Sequence, residues 1–524
     1  MVMKRILFWN VSLILVLALF VAGCSKDDPI PEPDPIDNEE EIPEADEVNK
    51  FIWEGLATYY YWVSNVSNLV NTDFEDDDSL NAFLNTYTDP EELFYDLLYE
   101  YGTVDKWSFI VDNSQEIDNW LTGISESMGF DFMLSYYEDN SNNIFGYVRY
   151  VLKGSPADLA GIKRGDFFLT VNGTQLTSLN YQELLFTQQT YSLGMAKYEN
   201  NTFSGNGIEH TMTAVELQEY PILLDTVYNV GGLNVGYLVY NGFTSAYDKT
   251  LNNSYDILLN STISKLKDQG IEKLIIDLRY NGGGSVQTSM YLASMIYGTN
   301  TSQVFAKYKY NNLLQNYFRD EYGGDYFNYY FSDVILEQDW DLEDAEGNFI
   351  QTVTTPETPI VSLDLNELYV ITSSNTASAS ELLINGLSAY IDVIQIGTNT
   401  TGKNVGSFTI RDWIDDNNVN PNHSWAMQPI TLKIANSNGY SDFSDGLVPD
   451  ISGQESVLNL KQLGDKDETL LKLTLNYIEG NSTKSAVGDD GISFRRFKSS
   501  KDFLRFGKEM YVEPEMVPTR EMIK

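Results

Sequence analysis

Apolar residues change their spacing twice along the chain, and each change predicts a different kind of structure. Over residues 47–124 they recur every third or fourth position, as in VNKFIWEGLATYYYWVSNV and PEELFYDLLYEYG. That is the period of amphipathic helices. Over residues 125–220 they alternate or run for strand lengths in MGFDFMLSYY, NIFGYVRYVL, GDFFLTVNG and GIEHTMTAV, which predicts a β domain. Over residues 221–460 the two rhythms alternate. NVGYLVYNGF, KLIIDLRY, ELYVITS and DVIQIG predict buried strands, and SVQTSMYLASMIYG and SASELLINGLSAY predict helices between them. Repetition of strand and helix predicts an α/β domain with helices on its sheet. Within it, the tyrosine- and acid-rich insertion 299–360 is expected as a lid or groove wall, or as plain packing. Residues 461–524 are expected as a C-terminal extension, helical at LLKLTLNYIEG and basic at FRRFKSSKDFLRFGKEMYVEP.

The amino terminus has a different pattern. Lys4 and Arg5 precede an apolar run over 6–22, and VAGC then brings the only cysteine of the chain, Cys24. Residues 1–24 resemble a bacterial lipoprotein signal with its lipobox, which implies lipidation of Cys24. A plain membrane anchor and a cleaved secretory signal are the alternatives. A lipid would tether the chain to a membrane surface without spanning it. Ser25 after the cysteine favours the outer membrane by the same resemblance, and SKDD is similar to export signals of surface-exposed lipoproteins. The expected location is therefore the cell envelope, on the periplasmic or the outer face. Residues 25–46, with five prolines in DDPIPEPDPIDNEEEIPEADE, read as a solvated tether.

Composition removes several possibilities. Acidic residues outnumber basic ones 76 to 33, a formal balance of −43, so a nucleic-acid partner is excluded on charge. One cysteine permits neither an internal disulfide nor a CxxC metal site. FEDDDS lacks the spaced ligands of a calcium loop and reads as a helix-capping turn. No metal or cofactor is expected.

The candidate chemistry lies at two strand ends. Ser378 follows ELYVITS and opens a helix, with Glu381 three positions on, the pattern of a capping box. The same position also suits a nucleophile, because a helix amino terminus at the carboxyl edge of a sheet offers free amides to a developing oxyanion. LRYNGGG at 278–284 is a second strand end with exposed glycine amides. The two histidines, His210 and His423, lie in a strand pattern and a polar loop. A lysine with its pKa lowered by burial is the other available base. Lys403 in GTNTTGKNVG stands just after the strand DVIQIG; taken alone, it is equally a surface-loop lysine.

Two resemblances sharpen this picture. GSPADLAGIKRGDFFLTVNGTQL at 154–176 resembles a PDZ domain, with an Asn-Gly hairpin turn. It implies a carboxylate-binding loop at Met128, Gly129 and Phe130, or a β domain that only packs. DLRYNGGG, TASASELLINGL and GTNTTGK, in that order behind a PDZ-like segment, resemble the C-terminal processing peptidases, or tail-specific proteases.

The family resemblance implies a multidomain α/β architecture. Its parts are a ClpP/crotonase-like protease core, a PDZ-like domain preceding or inserted in it, and an N-terminal helical domain. The implied activity is serine endopeptidase cleavage of protein or peptide substrates, recognised through their C-termini. The implied roles are nucleophile for Ser378, general base for Lys403, and backbone oxyanion donors for Ala379 and Gly283. The sequence departs from the family at Ser407, where a lysine-orienting glutamine is common, at Asn385-Gly386, and in NGGG for NPGG; Glu381 is the other candidate orienter. Two rivals remain, a surface lipoprotein that binds peptide without cutting it and an acyl-CoA chemistry that the charge disfavours.

Overall fold

The parallel strands expected after residue 221 form one twisted seven-stranded sheet. A computed structural model describes residues 42–512, except 71–73, 75, 138–140, 246–253, 337, 344–348, 415–417, 482–484, 487–493 and 504–506, together with 518 and 520–523. Cys24 and the tether before residue 42 lie outside the described residues. The sheet order is Ile222–Val230, Leu233–Tyr240, Lys273–Asp277, Glu367–Thr372, Asp392–Gly397, Ile451–Gly453 and Ser485–Ala486. The first pair is antiparallel and the rest are parallel. Successive side chains separate cleanly to its two faces, as the two-residue period of a strand demands. Leu274, Ile276, Leu368 and Val370 face the helices Ser254–Asp268, Val286–Tyr297 and Ala379–Leu387. Ile275, Tyr369 and Ile371 face the helix Thr469–Ile478.

That last helix corrects the expectation of an extension after residue 461. Leu470, Leu471, Leu473 and Leu475 are all buried against the sheet. Each such leucine contributes roughly 1.5–3 kcal/mol on removal from water, so the segment is core. The insertion 299–360 is also partly core. Its strand Val304–Tyr310 lies inside a second, six-stranded sheet ordered Gly284–Ser285, Met510–Tyr511, Val405–Ser407, Ile430–Asn436, Val304–Tyr310 and Asn328–Tyr330.

The β domain has its own core around Phe132, Leu134, Val148, Phe168 and Leu193. Its sheet runs Arg496–Ser499, Phe130–Tyr136, Ile144–Val151, Phe167–Val171, Thr190–Glu199 and Thr202–Thr213. The hairpin after Phe167–Val171 turns at Asn172 and Gly173, with φ of 50° and 75°. Such a turn favours this residue pair, because asparagine and glycine tolerate positive φ. Helices Glu47–Tyr59, Asp77–Leu84 and Pro90–Asp96 pack beside the α/β core, and Phe109–Val111 adds a strand to Ala426–Gln428.

A buried ionic cluster fixes the β domain on the core. Arg149 and Arg164 come from the β domain; Arg279 and Tyr280 come from the loop after Lys273–Asp277. Arg279 pairs with Asp277, Glu455 and Glu468 at 2.6–3.0 Å, and Arg164 pairs with Glu455 at 2.6 Å and the Tyr280 hydroxyl at 2.6 Å. The two arginines hold Glu455 and Glu468 below the usual carboxylate range despite their burial. Removing one partner of a buried ion pair leaves an uncompensated charge. Arg279→Met is therefore expected to lower stability by about 3–5 kcal/mol, read as a fall in the urea midpoint.

Candidate active site

Ser378 stands at the amino terminus of Ala379–Leu387, with φ at +66° and ψ at −119°. A side chain held in that region is strained, and neighbouring bonds must hold it there. Glu381 supplies them. Its buried carboxylate accepts from the Ser378 amide at 2.8 Å, which is one half of the capping box. The other half is not closed at hydrogen-bond distance: Ser378 Oγ is buried and makes no hydrogen bond to the described residues. The hydroxyl thus does not serve as the cap, although the residue occupies the cap position.

The same carboxylate reaches across to the lysine loop. It accepts from Thr400 Oγ1 at 2.5 Å, from the Gly402 amide at 2.7 Å and from the Lys403 amide at 2.9 Å. Burial pushes the Glu381 pKa up, and these four donors pull against that rise. One side chain therefore sets the backbone of both sequence-selected residues.

Lys403 is fully buried, with Nζ 5.1 Å from the centre of the Trp107 ring. It donates to the Lys508 carbonyl at 3.0 Å and to Glu509 Oε2 at 2.5 Å. Burial draws its pKa below the ordinary lysine value, while Glu509 favours the charged form. Burial likewise pushes Glu509 up to about 7 against the lysine. Ser407, expected beside the lysine, does not orient it. The Ser407 hydroxyl accepts from Gln428 Nε2 at 3.1 Å and donates to the Met510 carbonyl at 3.3 Å.

The glycine loop is shaped by Asn281. Its carbonyl accepts from the Ala377 amide at 3.1 Å and from Ser380 Oγ at 3.2 Å, joining this loop to the serine turn. Its Oδ1 accepts from the Gly283 amide at 2.9 Å. The loop amide offered to a peptide carbonyl is instead that of Gly284, which donates to Glu509 O at 2.7 Å. Gly283 admits no side chain: its φ is +110°, and a Cβ would come within 2.7 Å of Ser378 Oγ and 2.6 Å of Glu509 O. A peptide carbonyl therefore lies beside the serine. Ala379, fully buried, is the first residue of the helix, and its carbonyl accepts from Ser289 Oγ.

Met128, Gly129 and Phe130 line a cavity of about 220 Å³ with Leu185, Phe186 and Tyr191. The Met128 and Gly129 carbonyls are tied to the Ala157 and Leu152 amides, respectively. The histidines stand elsewhere: His423 Nε2 lies 3.1 Å from Asp412, and His210 is in the edge strand opposite Leu193. Among the described residues no cluster of His, Cys, Asp and Glu is arranged to hold a metal ion. Trp107 and Glu509 were missed in the sequence reading. Neither carries a local signal, because each acquires its role only by meeting Lys403 in the fold.

This arrangement is that of a known peptidase architecture. Residues 234–452 match the profile of peptidase family S41, residues 47–109 that of the peptidase S41 N-terminal domain, and residues 147–186 a PDZ domain. Profiles of the S41 peptidase N-terminal domain, a PDZ domain and peptidase family S41 thus match successive parts of this chain. Its relatives include the carboxy-terminal processing protease CtpA of Bacillus subtilis, 22% identical over 262 residues, 49% of this chain and 47% of the relative. A carboxyl-terminal-processing protease of Picosynechococcus is 27% identical over 173 residues, 30% of this chain and 38% of the relative. The chain thus spans less than half the length of these curated relatives. A solved structure of a Bacteroides fragilis protein assigned to the S41 proteases shares the fold. It has a TM-score of 0.61 and 24% identity over 82% of this chain and 97% of that one.

Glu381→Leu is nearly the same size but offers no acceptor to four buried donors. Each stranded donor costs about 1–3 kcal/mol and the costs do not simply add, so a loss of at least about 3 kcal/mol is expected. The check is chemical denaturation, with the exposed-surface variant Glu54→Leu as control.

Proposed function

We propose that the chain is a serine endopeptidase in which Ser378 is the nucleophile and Lys403 the general base. The observation that carries this reading is the shared anchor: Glu381 binds the amides of both residues, one in a strained turn and the other fully buried. A structural serine or lysine has no need of such coupling. In the reaction, neutral Lys403 takes the Ser378 hydroxyl proton as Oγ attacks a substrate carbonyl carbon. The oxyanion is held by the Ala379 amide and the Gly284 amide, since the Gly283 amide is engaged by Asn281 Oδ1. Collapse breaks the C–N bond, the leaving amine takes the proton from Lys403, and water then hydrolyses the ester. For this to happen Lys403 must first part from Glu509.

In the same reading the PDZ domain engages the substrate, with the C-terminal carboxylate at Met128, Gly129 and Phe130. Cys24 carries the lipid that holds the enzyme on the outer membrane, on its periplasmic or outer face. A second reading, a lipoprotein that binds peptide without hydrolysis, draws support from one observation: the base is engaged by Glu509 in a filled cleft.

Ser378→Ala and Lys403→Ala are each expected to reduce cleavage of an unfolded protein by at least about 10³-fold; thermal unfolding should change little in Ser378→Ala and fall in Lys403→Ala, which strands the buried Glu509. Cleavage products are read by mass spectrometry against the wild type. Undiminished activity in Lys403→Ala would remove the dyad. The pH profile gives a second check. Raising the pH deprotonates the lysine, so kcat/KM should rise with pH through an apparent pKa below the ordinary lysine value of 10.5. A rise centred at or above that value would speak against a buried base.

A further inference from the structure

Residues 494–512 read FRRFKSSKDFLRFGKEMYV, six basic residues against two acidic in a chain whose balance is −43. Their two described parts occupy two different peptide sites. Arg496–Ser499 adds an antiparallel strand to the PDZ sheet, with Arg496 opposite Ser135, Lys498 opposite Leu134 and Ser499 opposite Met133. It therefore runs toward Met128–Phe130, the direction that a peptide ending at that loop must take. Phe497 lies 5.0 Å and Phe503 5.1 Å, centre to centre, from the ring of Tyr181 on the facing helix, and Phe503 lies 4.4 Å from Phe186. Ser500 Oγ accepts from the Phe132 amide and donates to Asp131.

Further on, Met510–Tyr511 lies as a strand between Gly284–Ser285 and Val405–Ser407, parallel to both. Gly284 donates to the Glu509 carbonyl, and Val512 donates to the Ser407 carbonyl at 3.0 Å. The Glu509 side chain, almost wholly buried, takes the amine that the serine needs. Gly282 packs so tightly here that a Cβ would meet the Gly507 carbonyl at 1.9 Å.

We propose that this tail is a built-in peptide ligand. It occupies the strand edge of the PDZ groove with Phe497 and Phe503, leaving the cavity at Met128–Phe130 open, and the catalytic cleft with Glu509 at the same time. A partner protein entering the groove with a basic, aromatic C-terminal segment displaces the tail and frees Lys403. The partner's chemistry follows from the occupant. The groove accepts phenylalanine between Tyr136, Tyr181 and Phe186, Arg495 stacks on the Tyr136 ring at 3.7 Å, and Lys501 lies 3.8 Å from Glu219. The proposal rests on the dyad reading for its catalytic consequence but not for the docking itself.

Two measurements on the full chain test it. A fluorescent peptide with the sequence of residues 494–503 and a free carboxyl terminus is titrated against Ser378→Ala, with and without Phe497→Ala and Phe503→Ala in the tail. At least tenfold tighter binding to the loosened tail is expected. Equal binding would overturn docking in the PDZ groove. In the second measurement, Glu509→Gln is expected to cleave unfolded protein at least tenfold faster than wild type, with the gain lost in Ser378→Ala. A wild type that cleaves as fast as Glu509→Gln would overturn the blocked cleft while leaving the dyad intact. If no variant cleaves but the peptide binds tighter to the loosened tail, the docking stands and the protease reading falls.

Discussion

The site depends on one buried carboxylate. Glu381 lies on the first turn of a helix, yet three of its four donors come from a loop some twenty residues later in the chain. A carboxylate out of water is costly unless its lone pairs are filled. Here the filling groups are those that must be placed for chemistry. Rotation of the Glu381 side chain would release the strained serine turn and the lysine loop together, so neither drifts without the other. The helix offers the first of these bonds by its ordinary capping geometry. The parallel pairing of Glu367–Thr372 with Asp392–Gly397 brings the other three into reach. Fold and site are joined at this residue.

A second constraint lies behind the glycine loop. Arg279 and Tyr280 directly precede Asn281, which shapes that loop, and both belong to the cluster that binds Arg149 and Arg164 of the PDZ domain. Arg149 in turn pairs with Asp131, the residue that accepts from Ser500 of the tail. A path thus runs from the PDZ groove through Asp131 and Arg149 to the Tyr280 ring, and along the backbone to Asn281 and the glycine-loop amides. Ion pairs with so little solvent are held rigidly only while every partner is present.

Much of this was legible in the sequence because the signals were local. Strand ends followed by glycines or by a serine with a glutamate three places on can be read from spacing alone. ELYVITS, DVIQIG and KLIIDLRY form the parallel strands expected of them. The tail was not legible, because RFKS has no apolar face of its own and becomes a strand only beside Phe130–Tyr136. Glu509 lies in a basic stretch that reads as solvated, and burial against Lys403 comes from contacts more than a hundred residues apart. Ser407 left a different gap. The family's glutamine is replaced there by a serine, which left the orienter of Lys403 open, and its hydroxyl faces Met510 and Gln428.

The order of sites along the tail distinguishes a blocker from a substrate. A protein held by its carboxyl terminus in the PDZ groove presents earlier residues to the cleft, so its chain runs from cleft to groove. The tail runs the other way, with Arg496–Ser499 in the groove and Met510–Tyr511 in the cleft. It satisfies each site separately but in reversed sequence, and it does not end at the carboxylate loop. Its Glu509 carbonyl has the glycine-loop hydrogen bond that a scissile group requires, yet the Glu509 side chain holds the base as an ion pair. On the proposed roles of Ser378 and Lys403, a segment that approaches the nucleophile while charging the base is protected from attack by its own contacts.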